Sequence, residues 1–422
     1  VRILVVGGGG REHAICWALK KSSKVQELYC APGNGGIAGV AECVPIQVNQ
    51  FAEIAEFAVD HAIDLVVIGP DDPLSEGIVD YLEAKQLTVF GPRQNAAIIE
   101  SSKVFSKELF KKYNIPTAAY ESFDNYEAAL EYLHSQQIPI VIKADGLAAG
   151  KGVIIPQSME EAEKALHDIM VAKIFGESGN QVVIEEFMTG QEMSILSFVD
   201  GNVVRPMVAA QDHKTVFDND KGPNTGGMGT YSPLPHIDPS IIDEAIEKII
   251  KPTAAAMVSE GRPFRGILFA GLMLTPQGPR TIEFNARFGD PEAQVVLPRL
   301  KTDLLDIFLA AINGQLGQMD IQWSDEAAVC VVIASEGYPG PYPKGLPIEG
   351  LDDVQDALVF HAGTALKDNK IVTNGGRVLG VTALGSDIAD ARAKAYAAAE
   401  LIQFQGKHSR TDIAKKALIT HR

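Results

Sequence analysis

The chain is 422 residues long, 46% hydrophobic and 22% charged, an ordinary globular composition with length for roughly three domains. Its formal charge of −17 argues against nucleic-acid binding through a broad basic surface, while leaving room for an anionic ligand at a local cluster of Arg, Lys and backbone N–H groups. No apolar run approaches the roughly 20 residues of a membrane span, and four cysteines with no CxxC pair, three of them in apolar segments, predict buried thiols in a reduced, cytoplasmic protein.

VRILVVGGGG is a strand running into a glycine turn, too short and too structured for a signal peptide. Residues 1–102 continue as βαβ units: helix 11–21, strand VQELYCA, helix 50–61, strand DLVVIGP, helix 75–85 and strand TVFG. Near-continuous apolar strands alternating with helices imply a parallel sheet covered on both faces. A helix over 103–112 starts near a Ser101-Ser102 cap. Strands 138–144 and 182–187 flank a helix at about 158–173, and strands 193–199 and 203–210 meet at an Asp200-Gly201 turn. Helix 239–259 precedes the strands ILFAGLML and RTIEFNAR, and helix 303–313 follows. Strands 327–334, 357–364 and 377–384 with an Ala-rich helix at about 387–402 read as a separate β-rich domain. The chain ends soon after it, as expected of a stand-alone protein.

The densest chemistry lies in TIEFNARFGDPE, residues 281–292. On a strand Glu283, Asn285 and Arg287 share one face. A carboxylate and an amide oxygen suit a hard divalent cation, and the guanidinium suits phosphate. The competing reading is an exposed edge strand with a chance salt bridge. GGGGREH (7–13) follows the first strand and opens a helix, where backbone N–H groups can meet an anion. It fails the GxGxxG dinucleotide pattern, since the sixth position is His13 or Glu12, so a phosphate on a smaller ligand or a plain tight turn fits better. GPDDPL (69–74) should face the same C-terminal sheet edge.

VIKADGLAAGKGV places Lys143 on a strand and Lys151 in a glycine-rich loop that lacks the P-loop pattern. Such a loop can close over a triphosphate and exclude water, or be a surface hairpin. In VVIEEFMTGQE the backbone from Glu185 through Glu186 and Phe187 to Met188 is placed to read an adenine edge, and Glu192 to accept from ribose hydroxyls. QDHKTVFDNDKGPNTGGMG (211–229) is long and polar for a loop, which favours substrate binding. It offers Asp212, His213, Lys214, Asn224 and Thr225, with amides expected free from Gly226 and Gly227 to Gly229. Arg377, beside two glycines, either reaches a phosphate or is solvated at a turn.

Together GGGGREHA, APGN, GPDDPL, IKADGLAAGKGV, IEEF, QDHK, GPNTGGMG, IEFNARFGDPE, HAGT and TNGGRVL resemble, in order and spacing, the glycinamide ribonucleotide synthetase family of the ATP-grasp superfamily, over nearly the whole chain. The resemblance implies an α/β fold: an N-terminal preATP-grasp (Rossmann-like) domain over 1–102, an ATP-grasp core over 103–325 with a mobile lid at about 118–190, and a C-terminal β-rich domain over 326–422. It implies ATP-dependent ligation of glycine to 5-phosphoribosylamine through glycyl phosphate, in de novo purine synthesis.

Carried over by motif, Glu283 and Asn285 look like ligands of Mg²⁺ or Mn²⁺; the preceding strand supplies no third acid. Lys103 and Lys143 match the lysines on the ATP phosphates and Lys151 the lid lysine; Glu185, Glu186, Phe187 and Met188 match the adenine hinge and Glu192 the ribose ligand. Arg287 and Asp290 look placed for glycine and its acyl phosphate, and Gly9, Gly10, Arg11 and Glu12 for phosphoribosylamine. The expected partners are these small substrates, with no nucleic acid and no membrane, in a monomer or small homo-oligomer. The rivals are another ATP-grasp ligase or carboxylase, a non-catalytic nucleotide sensor, and an NAD-dependent oxidoreductase.

Overall fold

The computed structural model describes residues 1–148 and 151–419; Ala149 and Gly150, within the predicted lid loop, and the last three positions of the predicted C-terminal domain lie outside them. The first region is a five-stranded parallel sheet in the spatial order Glu42–Cys43, Glu27–Pro32, Arg2–Gly7, Leu65–Ile68, Val89–Phe90. Ile3 to Val6 are fully buried, as a strand covered on both faces requires. The loops after Arg2–Gly7 and Leu65–Ile68 leave the same edge, as expected. The predicted helix at 75–85 is two short helices, Asp71–Ser75 and Ile78–Ala84, separated by Gly77 in the left-handed region.

The central region holds two antiparallel sheets of four strands. One runs Val203–Pro206, Gln191–Asp200, Arg265–Thr275, Gly278–Asn285. The other runs Tyr120–Phe123, Val182–Glu186, Ile140–Ala144, Val153–Ile154, with helices Tyr126–His134 and Met159–Met170 packed on it. This second sheet has its own apolar core of residues such as Leu133, Ile142, Leu166 and Ile184, distinct from the large cores elsewhere. It meets its surroundings through polar contacts: Lys103 Nζ donates to Gly146 O (2.5 Å), Val104 N to Asp145 Oδ1 (3.2 Å), and Arg280 pairs with Glu186 (2.7 Å). A module with a private core and polar seams can move as a body.

The helix expected at 239–259 is continuous but carries a π turn, Ile246–Ile250, just before Pro252. Proline lacks an N–H and its ring crowds the preceding turn, which the wider turn relieves.

The last sheet is not built from the predicted C-terminal domain alone. Its order is Gln211–Asp212, Gly229–Ser232, Ala327–Ala334, Arg377–Gly385, Leu358–His361, so two of five strands come from the central region, the first of them from within the stretch predicted as a loop. A second hairpin, Thr215–Phe217 with Lys221–Asn224, fills the middle of that stretch. No helix among the described residues is long and apolar enough to cross a membrane, and the four cysteines are free thiols.

Candidate active site

The strand Gly278–Asn285 sits at the edge of its sheet, and its pairing is irregular at one point. Gly271 opposes Glu283 while Leu272 opposes Thr281, which leaves Ile282 as an extra residue. Such a bulge re-aims the chain: the carbonyl of Ile282 faces Lys143 Nζ at 3.3 Å. Glu283 and Asn285 emerge half-buried on the predicted common face, while Phe284 and Ala286 are buried on the other.

Burial alone would push Glu283 up. Lys214, Lys143, Lys103 and Arg287 outweigh it and hold the carboxyl below its usual range, so it is ionised. The amide of Asn285 donates to Phe284 O (3.1 Å), which orients its side-chain oxygen away. Among the described residues no cluster of three or more His, Cys, Asp or Glu could hold a metal. A charged carboxylate with one amide oxygen nevertheless fits Mg²⁺, which is held by one or two carboxylates plus phosphate oxygens and water.

Around this strand the structure gathers predicted residues from distant segments. Lys214 pairs with Glu192 at 3.0 Å; burial pulls its ammonium down, but Glu192, Asp212 and Glu283 hold it well above the ordinary value. Asp212 is pushed up by burial, against Lys214. Lys103 is pushed down by burial, although Glu283 opposes the shift. Lys151 is exposed on a hairpin loop whose flanking strands pair antiparallel.

The hinge from Glu185 to Met188 divides in two. The Glu185 side chain is buried between Lys107 and Lys143, and its backbone lies in a strand paired on both sides, opposite Tyr120 and Val141; Glu186, Phe187 and Thr189 are exposed.

On the other side, Arg287 meets Glu100 at 2.8 Å and Asp71 at 3.9 Å. Glu100 also accepts from Ala286 N (2.7 Å); burial raises it to about 7, with Arg287 opposing. Asp290 accepts from Gln294 Nε2 (2.8 Å) and lies 3.5 Å from Arg377, which also donates to the carbonyls of Asp290 and Gly226 at 2.8 Å each. Arg377 is thus neither solvated nor free: it ties the last sheet to the turns at 226–227 and 290.

Two expectations need correction here. The amides at 226–228 are not free. Gly226 N donates to the Tyr338 hydroxyl (3.0 Å), Gly227 N to Thr225 Oγ1 (3.0 Å) and Met228 N to His213 O (2.7 Å). Gly227 itself is required: its φ is +122° and an added Cβ would lie 2.5 Å from Pro291. Asn224 is exposed, opposite Thr215.

The second correction concerns GGGGRE. The glycines make room for Glu12 rather than leaving an open cradle. An added Cβ would lie 2.3 Å from Glu12 at Gly7 and 2.1 Å at Gly69. The carboxylate accepts from Gly9 N (2.7 Å) and Arg11 Nε (2.6 Å). Arg11 is buried and also donates to Phe288 O (3.3 Å); an added Cβ at Gly10 would strike Gln294 at 2.5 Å. This segment therefore joins the first region to the turn that carries Asp290.

Sequence reasoning missed Lys107, Glu100, Asp71 and Glu292. Lys107 lies one helical turn after Lys103, a spacing that puts both on one face. Glu292 stood within the GDPE run; burial and Asp212 raise it to about 8. Asp71 stood within the GPDDPL run, and Glu100 carried no local signal.

Lysines and an arginine around an ionised carboxylate with a neighbouring amide oxygen, beside a module with its own apolar core, are the arrangement expected of an ATP-grasp ligase. Models of the phosphoribosylglycinamide synthetase N domain, ATP-grasp (A) domain and C domain match residues 1–100, 101–293 and 328–416. The phosphoribosylamine–glycine ligase of Caldanaerobacter subterraneus subsp. tengcongensis is 51% identical over 98% of this chain and 99% of its own. The crystal structure of the Thermotoga maritima phosphoribosylamine–glycine ligase matches with a TM-score of 0.87 and 36% identity, over 98% of this chain and 100% of that one. A biotin carboxylase domain from Hydrogenobacter thermophilus, determined with MgADP, matches with a TM-score of 0.74 at 16% identity over 97% of this chain and 91% of that one, which shows a shared fold alone. The chain belongs to the phosphoribosylglycinamide synthetase family.

Proposed function

We infer that the protein ligates glycine to 5-phosphoribosylamine at the expense of ATP, giving glycinamide ribonucleotide, ADP and phosphate in purine biosynthesis in the cytoplasm. The observation that carries the reading is the convergence of Lys103, Lys143, Lys214 and Arg287 on Glu283. A carboxylate does not acylate an amine unaided, because oxide is too poor a leaving group. An oxygen of the glycine carboxylate attacks the γ-phosphorus, the bond to the β-phosphate oxygen breaks and ADP leaves. The amine nitrogen of phosphoribosylamine then attacks the carbonyl carbon, the carbon–oxygen bond to phosphate breaks, and the nitrogen gives up a proton. No protein nucleophile is needed.

In this reading Lys103 and Lys143 spread charge on the phosphates, and Lys151 closes over them from the lid. The backbone at 185–188 holds adenine and Glu192 the ribose. Glu283 and Asn285 would hold Mg²⁺, which would supply charge neutralisation for the phosphates. Arg287, Asp290, Asp212 and Lys214 line the glycine side, with Asn224, Thr225 and Arg377 behind them. Gly9 to Glu12 border the phosphoribosylamine side, which divides the chain functionally at about 102 and 325. Lid closure protects glycyl phosphate from water.

The test is phosphate release from ATP with glycine alone, phosphoribosylamine alone, or both. Turnover should require both, and alanine in place of glycine should lower kcat/KM sharply, because an added methyl must clash or displace a contact. Turnover with bicarbonate and biotin, and indifference to glycine, would refute the reading.

A further inference from the structure

Lys107 and Lys143 face the same oxygen of Glu185, at 3.2 and 2.9 Å, and all three side chains are almost wholly buried. The contact is ionic: among the described residues Glu185 Oε1 has no partner in hydrogen-bond geometry. Two ammonium groups thus share one carboxylate, one more cation than Glu185 needs.

The two lysines are held differently. Lys107 donates to Thr117 Oγ1 (2.7 Å), which donates on to Thr281 O (2.8 Å), and it lies 5.5 Å from the centre of the Tyr120 ring. The Tyr120 hydroxyl returns a hydrogen bond to Lys107 O (2.9 Å). Among the described residues Lys143 has only the long contact to Ile282 O beside Glu185, and it faces the side where Lys103 and Glu283 lie. One lysine is anchored at the seam between lid and core; the other is poised between Glu185 and the candidate phosphate site.

Drawing Lys143 onto an incoming phosphate would strip a buried carboxylate of its counter-ion if Lys143 were the only one. Leaving a buried charge uncompensated is strongly unfavourable. We propose that Lys107 is a positioning residue of the nucleotide site: it remains as the counter-ion of Glu185 and so releases Lys143 for the nucleotide phosphates. This rests on the nucleotide reading given above.

The experiment is a double-mutant cycle on the full chain, read by calorimetric titration with MgADP and by steady-state kinetics. Lys107→Met should weaken MgADP binding and raise the KM for ATP by about tenfold or more, while the KM for glycine moves less than about twofold. Lys107→Arg, which keeps the cation, should recover most of that loss. In the Glu185→Gln background, where no buried charge needs compensation, Lys107→Met should cost at least about fivefold less than in the wild type. Should Lys107→Met fail to fold, Lys107→Gln, which can still donate to Thr117, takes its place in the cycle. Unchanged MgADP affinity in a folded Lys107 variant, or an equal loss in both backgrounds, would overturn the inference. Absence of MgADP binding by the wild type would instead refute the nucleotide reading.

Discussion

Glu283 keeps its charge only because four cations outweigh its burial. Glu283→Gln preserves size and removes that charge, so kcat should fall by a factor of at least about 10², equivalent to roughly 2.7 kcal/mol of barrier. Near-normal turnover at saturating Mg²⁺ would exclude an essential role. Glu100 is governed by the opposite balance: burial lifts it from 4.5 to about 7 despite Arg287. A carboxyl raised on folding favours the protonated native state. Its stabilising contribution is therefore full below pH 4.5 and is lost as pH rises through about 7. Over that window it should impose a decline of at most about 1.4 kcal/mol per pH unit. Glu100→Gln should flatten the decline in denaturant unfolding measured from pH 5 to pH 7. The pair Glu283 and Asn285 was readable from alternation along one strand. Glu100 was not, because its partner Arg287 is far off in sequence and only the fold makes them neighbours.

At the scale of elements, the lid is the testable unit. Its core is separate from the others and its links to the body are polar. If Lys151 closes over the nucleotide as proposed, hydrogen exchange over residues 145–155 should slow when ATP and Mg²⁺ are added. Identical exchange with and without nucleotide would leave Lys151 on a static hairpin. Long apolar strands such as Ala327–Ala334, fully buried, were legible because burial on both faces writes a continuous apolar run. Short polar strands were not. Lys221–Asn224 reads KGPN and is exposed throughout, so neither alternation nor hydrophobicity marks it. It pairs because the C-terminal segment grips its hairpin: Arg410, fully buried, donates to Thr215 O (3.1 Å) and pairs with Asp220 (3.1 Å).

Across the whole molecule, the site is a junction rather than a pocket within one region. Arg11 joins the parallel sheet to the turn at Phe288, and Arg377 joins the last sheet to Asp290 and Gly226. Arg11→Ala would leave Glu12 buried without its cation. It should lower stability by roughly 3 kcal/mol, seen in urea unfolding, and raise the KM for phosphoribosylamine more than that for ATP. A change confined to the KM for ATP would place Arg11 on the wrong substrate. The sequence by itself determined the order of the long apolar strands and of most helices, the parallel first sheet, the face shared by Glu283 and Asn285, and the motifs that carry the family resemblance. These are local or periodic properties, set by neighbours a few residues apart. Only the tertiary structure decided that the glycines of GGGGRE enclose Glu12, that the amides at 226–228 are already bonded, and that two strands of the central region belong to the last sheet. Each of those depends on which distant group arrives to occupy a donor, a gap or an open edge, and packing settles that.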